Sequence, residues 1–113
     1  MDKLASYRQY IKQLLSEYVG EGEPSDLYEC QLIFDEQNDH YLWLDLGWDR
    51  DGSKRVYFTV IHFDIKDEKI WLQRNMTDLD PAADLVAMGV DRLDIVLGLQ
   101  APHKRPYTDY GVA

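Results

Sequence analysis

An α+β fold is predicted by three features of the chain: an amphipathic helical stripe near its start, four short aromatic or β-branched runs divided by turn segments, and an Asp-Pro-led helical stretch before an irregular end. The expected architecture is an N-terminal amphipathic helix packed on a mainly antiparallel four-stranded meander, with a second short helix and an irregular C-terminal tail. Leu4, Tyr7, Ile11, Leu14, Leu15 and Tyr18 recur at three- and four-residue steps, with Lys3, Arg8, Lys12 and Glu17 between them. Gly20 and Gly22 can close a helix and Pro24 blocks its continuation, so the helix should end near residue 19.

The strand candidates are 27–34, 41–48, 55–65 and 70–74, bounded by D-E-Q-N-D, D-R-D-G-S and K-D-E-K. Short loops imply antiparallel neighbours. A tight turn at Asp67-Glu68 would set Lys66 opposite Lys69, Asp64 opposite Trp71 and His62 opposite Gln73. In the second strand Leu42, Leu44 and Leu46 share one face and Tyr41, Trp43 and Asp45 the other; the leucine side is expected beneath the helix. Asp80-Pro81 starts the second helix, Leu85, Val86 and Met88 give its apolar side, and Gly89 stops it. D-R-L-D then makes a turn, 95–97 a brief extended segment, and the tail, carrying Tyr107, Tyr110 and Val112, should pack back on the body.

With 113 residues, 45% of them hydrophobic, one domain over 1–113 is expected, large enough for a core without staples. The single Cys30 cannot form an internal disulfide, no apolar run approaches membrane-spanning length, and M-D-K-L-A-S-Y lacks an apolar signal segment, which together suit a reducing cytoplasm. A net charge of −9 opposes nucleic-acid binding through phosphates. The acid excess lies in 21–53, where ten acids face only Arg50. Such a segment is a solvated face or, in the sharper reading, a docking surface for a basic partner.

His62 and Asp64 stand two apart on a strand and so share a face, the presentation of a metal-ligand or acid–base pair. A metal site needs more convergent ligands, and His40 and His103 fall in a loop and the tail without ligand spacing. A polar strand edge bonded to Gln73 or to a backbone group is the favoured reading, with no metal, no cofactor and no catalytic residue. Cys30 lies in a strand, Ser25 and Ser53 have no evident histidine partner, and G-E-G at 20–22 is not a phosphate loop. H-K-R-P-Y at 103–107 reads as a tail pinned by salt bridges and tyrosine packing rather than a DNA footprint.

The collinear segments S-Y-R-Q-Y-I-K-Q-L-L-S-E-Y (6–18), Q-L-I-F-D (31–35), D-H-Y (39–41), G-W-D (47–49), V-I-H-F-D-I-K-D-E-K-I-W-L-Q-R (60–74), D-I-V-L-G (94–98) and K-R-P-Y-T-D-Y-G-V-A (104–113) closely resemble the XisI family. These are the fdxN element excision controlling factor proteins of filamentous cyanobacteria. The resemblance implies a small cytoplasmic α+β protein that acts with a companion, XisH, in controlling excision of a DNA element, the cutting and rejoining being done by a separate recombinase. It supplies no catalytic residues. XisH-like companions resemble nuclease-fold proteins, so a non-enzymatic accessory subunit that meets DNA indirectly through its partner is the expectation. The candidate partner surface is His62, Asp64, Trp71, Gln73, Arg74, Lys104, Arg105 and Tyr107. A homodimer is expected as well, because Tyr41, Trp43, Trp48 and Trp71 exceed what one sheet face needs if the leucine face is the core. The alternatives are direct DNA binding through Lys54, Arg55, Lys104 and Arg105, and a small metal-dependent enzyme built around His62 and Asp64.

Overall fold

The structure, a computed structural model, describes residues 2–20 and 27–112; the expectations placed on Gly22, Pro24 and Ser25 lie outside them. Helix α1 (Lys3–Val19) begins where the Asp2 carboxylate accepts from the Leu4 amide at 3.0 Å and ends at Gly20, whose φ of 57° suits a residue without a Cβ. Its stripe is buried as the spacing predicts: Tyr7, Ile11, Leu14 and Leu15 face the core, with Leu4 and Tyr18 at its margin.

Strands β1 (Tyr28–Asp35), β2 (His40–Trp48), β3 (Arg55–Lys66) and β4 (Lys69–Asn75) form the expected antiparallel meander. Helix α2 (Pro81–Met88) follows, capped by Asp80 and stopped at Gly89 (φ 118°). The sheet, however, has five strands: β5 (Ile95–Leu97), after a short 3-10 turn at Arg92–Asp94, adds to β4 in parallel and makes the sheet mixed. The brief extended segment at 95–97 is therefore a full edge strand, delivered by the α2 crossover that parallel pairing requires.

Two further expectations are corrected. The helices cover the Tyr41 side of β2, not the leucine side: Tyr41 is fully buried and Trp43 packs against the core. Their polar tips are satisfied on that face, since Tyr41 Oη donates to Asp39 at 2.9 Å and Trp43 Nε1 to Asp45 at 2.8 Å, and a satisfied aromatic buries more apolar area than a leucine. Leu42, Leu44 and Leu46 point to the uncovered face. The aromatic surplus invoked for a dimer is thereby reduced, because of the four residues only Trp48 is exposed. In addition, a bulge between His62 and Phe63 places His62 across from Arg74 instead of Gln73, while Asp64–Trp71 and Lys66–Lys69 pair as the Asp67-Glu68 turn predicts. Both turn residues take positive φ, 53° and 63°, the conformation that matches strand twist in a two-residue hairpin.

Beneath the sheet Ile11 and Leu15 meet Ile61, Phe63, Ile70 and Ile95, with Leu85 from α2 closing the core. Each such side chain contributes about 1.5–3 kcal/mol on burial. Polar pins surround this core: Tyr7 Oη donates to Asp94 at 2.5 Å, Tyr18 Oη to Asp84, and Arg8 Nε to Asp39 at 2.8 Å.

The tail docks as expected, but of the three residues named for it only Tyr110 packs on the core. Tyr107, at the end of a 3-10 segment (Pro102–Tyr107), is 90% exposed, whereas Tyr110 packs on the core and Gly111 bridges Val96, its amide donating to the Ile95 carbonyl at 2.8 Å. A Cβ on Gly111 would lie 2.3 Å from the Leu93 carbonyl oxygen. Gly111→Ala should therefore lower stability by about 2 kcal/mol or more, whereas Tyr107→Ala should change it by less than about 0.5 kcal/mol, as read by thermal or urea melts.

Burial first, and then the hydrogen bond each donates to its aspartate, raise the phenols of Tyr7, Tyr18 and Tyr41 above their ordinary range. Tyr28, bonded to Asp45, shifts the same way, though its greater exposure screens it. The folded state holds these protons more tightly than the unfolded chain, so the stability they contribute is complete below a pH of about 10 and is lost as pH rises beyond it. Alkaline titration should show part of the tyrosinate absorbance appearing only together with the loss of circular dichroism.

Candidate functional site

Covering one side of the sheet leaves the other open along β1, β2 and β3, while Trp71 of β4 on that side is buried. Along β2 the open side displays His40, Leu42, Leu44 and Leu46, and the register sets Asp35 and Ile33 of β1 and Asp64 and His62 of β3 beside them. At one end of this face the side chains converge. Asp64 Oδ1 lies 2.8 Å from His40 Nδ1 and 2.7 Å from His62 Nε2, and Asp64 Oδ2 accepts from Gln73 Nε2 at 3.2 Å. One carboxylate thus serves three donors from three strands.

The sequence pair His62–Asp64 is confirmed as a contact, and Gln73 joins it despite the bulge. His40 was missed. It is the first residue of β2 rather than part of a loop, and it stands directly across from Asp64. No spacing motif reveals a neighbour created by cross-strand register; the signal available was the D-H-Y turn exit facing F-D-I across a strand pair.

Burial alone would raise the Asp64 carboxyl, but the hydrogen bonds from His40 and His62 outweigh it and hold it below the usual carboxylate range. The same bond raises the His40 imidazole. Gln73 is kept in place by close packing: a Cβ on Gly98 would lie 2.5 Å from its Oε1. His40, His62 and Asp64 offer one ligand atom each, all within 4.8 Å of one another, and are the residues that could hold a metal ion.

Trp71, across from Asp64, is buried under two cations: Lys66 Nζ lies 4.0 Å and Arg105 Cζ 5.3 Å from a ring centroid. Its indole N–H has no acceptor among the described residues. Arg105 also donates to the carbonyls of Gln100 (3.1 Å) and Gly98 (3.3 Å), so it is a structural clamp. Arg74 donates to the Thr59 carbonyl at 2.8 Å. Lys104 and Tyr107 are exposed and do not join the cluster.

Arg55 opens β3 and Lys54 precedes it, roughly 30 Å along the strand from Asp64. Arg55 stacks on Trp48 and Tyr57 there. The four basic residues proposed for DNA therefore form no single patch. Of the described acids of 21–53, Glu29, Glu36 and Asp51 stay exposed, while several of the set are held by neighbours within the chain. Asp39 binds Arg8, Glu36 binds Lys12, Asp45 receives Tyr28 and Trp43, and Asp49 and Asp51 receive the Ser53 amide. A cleft of ≈ 420 Å³ lined by Leu27, Tyr28, Glu29, Leu46, Gly47, Trp48 and Arg55 also lies at that far end, away from the histidines. No helix among the described residues is long and apolar enough to cross a membrane.

A family model described as XisI protein matches residues 1–112. The chain is similar to a solved XisI-like protein from Anabaena variabilis, with 55% identity over 97% of this chain and 99% of that one and a TM-score of 0.91. It is also similar to the solved fdxN element excision controlling factor XisI from Anabaena variabilis, with 36% identity over 99% of this chain and 100% of that one and a TM-score of 0.87. Among curated proteins, none matches.

Since Arg105 both covers Trp71 and bonds two carbonyls, Arg105→Ala should cost about 1–2 kcal/mol and shift Trp fluorescence toward that of a wetter indole. Lys104→Ala should stay within about 0.5 kcal/mol of the parent. Urea melts followed by fluorescence distinguish the two.

Proposed function

The chain belongs to the XisI family, and from that membership we propose that it is a non-enzymatic accessory protein that controls excision of a DNA element by binding a XisH-like companion in the cytoplasm. The similarity to a protein called an excision controlling factor carries the process. The uncovered sheet face is what supports action by binding. Ile33 (42% exposed) and Tyr57 (64% exposed) flank the half-buried Leu42, Leu44 and Leu46 there, an apolar strip that a partner would take out of water. DNA contact would then come through the companion, in keeping with a net charge of −9 and basic residues held in stacking contacts.

The same strip favours a second reading, a homodimer in which two copies pack leucine face to leucine face. Leu44→Asp in the middle of the strip, on a half-buried position, separates the readings without removing a core side chain. Purified protein is sized by light scattering alone and after mixing with the neighbouring XisH-like protein at micromolar concentration. A mixed complex lost in Leu44→Asp is the expected outcome. A 13.3 kDa species that stays alone in the mixture counts against the companion, and a dimer unaffected by Leu44→Asp removes the leucine face as its interface.

A further inference from the structure

We propose that His40 Nδ1, His62 Nε2 and Asp64 Oδ1 form a three-ligand site for one divalent first-row transition ion of the zinc class, open on the uncovered face of the sheet. This inference rests on the geometry of the chain and not on the excision-control reading.

Each of the three residues offers one atom able to ligate an ion, and these atoms all lie within 4.8 Å of one another. Without an ion, each histidine nitrogen facing Asp64 Oδ1 must carry a proton to make its 2.8 Å or 2.7 Å contact. One dication replaces both protons and satisfies all three atoms with the imidazoles neutral. Ligand atoms arranged tetrahedrally around a zinc-class ion bonded at about 2 Å sit roughly 3.3 Å apart, so the two contacts to Asp64 need open by about half an ångström. The side chains that must adjust have room to do so: those of His40 and His62 are 54% and 31% exposed.

The carboxylate is the fixed member of the set. Its side chain is 17% exposed, and Gln73, seated against Gly98, holds Oδ2 so that Oδ1 faces the histidines, the outer support that metal-ligating carboxylates generally have. The frame is rigid as well, since the ligands come from two paired strands and the supporting amide from a third. Two imidazoles and one carboxylate select a transition ion over magnesium or calcium, which prefer oxygen donors. Asp35, directly across from His40, adds negative charge beside the site, while the nearby cations Lys66 and Arg105 are drawn onto the face of Trp71. Three protein ligands leave at least one coordination position facing outward.

The test is equilibrium dialysis of untagged, chelator-treated protein against zinc chloride at micromolar concentration, with cobalt chloride as a spectroscopic probe. About one zinc per chain is expected, with visible cobalt absorption of an imidazole-bound ion, and at least a tenfold weaker affinity in His40→Ala and His62→Ala. His103→Ala, in the exposed 3-10 segment, should bind as the parent does. Circular dichroism melts establish that each variant is folded, and the exposed His40 makes His40→Ala the decisive one should His62→Ala fail to fold. Absence of stoichiometric zinc uptake by the parent overturns the proposal. So does uptake unchanged in folded His40→Ala, or magnesium chloride displacing zinc at equal concentration.

Discussion

The carboxylate of Asp39 decides which side of the sheet becomes the core. It accepts from Arg8 of α1 at 2.8 and 3.2 Å and from Tyr41 of β2 at 2.9 Å, and its backbone carbonyl accepts from the Ile65 amide at 3.1 Å. The Arg8 bond, with Tyr41 adding to it, holds this carboxyl below the usual range despite its burial. Helix, hairpin turn and third strand are thus tied at one point, with Tyr41 directed beneath the helix. A strand alternates sides with a period of two, so burying Tyr41 exposes His40, Leu42, Leu44 and Leu46 together. Antiparallel register then carries the choice into β3, where Phe63 and Ile65 go inward and His62 and Asp64 outward. The open apolar strip and the histidine–aspartate cluster follow from one sidedness.

That sidedness was the part of the fold least legible in the sequence. Helix α1 was readable because six apolar side chains repeat at helical spacing, and α2 because Asp80-Pro81 and Gly89 punctuate it. Strand limits were readable from their turns to within a residue or two. The covered face of β2 was not, because hydrophobicity alone ranks Leu-Leu-Leu above Tyr-Trp-Asp. The ranking fails once Asp39 and Asp45 supply acceptors to the two aromatics, and those partners are visible only in three dimensions. The bulge beside His62 and the parallel pairing of β5 escaped for a related reason: each is a relation between strands, and the sequence of one strand does not contain it.

The tail makes the same point in reverse. Tyrosine count suggested Tyr107 and Tyr110 alike as anchors, yet only Tyr110 packs, and the rest of the docking is done by main-chain pairing at Gly111 and by Arg105 over Trp71. Gly111 has no side chain to bury. Its value is that it lets one backbone approach another closely enough for the Ile95 carbonyl to be reached. Extension of the sheet edge by a single bridge also shields β5, which would otherwise present unpaired groups to a neighbouring chain.

Placement of the cluster bears on whether the open face serves chemistry or assembly. A catalytic site gains from a concave, water-excluding surround, whereas His40, His62 and Asp64 stand on a sheet surface and the ≈ 420 Å³ cleft lies at the other end of β2 and β3. Leu42 is two residues from His40 on the same face, about 7 Å away at strand rise. A protein seated on the leucine strip would therefore overhang the cluster, excluding solvent there and bringing its own side chains within reach of an outward coordination position. In that geometry a bound metal ion would be part of an interface, where it would strengthen association and make it depend on the ion. Ion binding by the isolated chain and association through the leucines are separate measurements, so either can hold while the other fails.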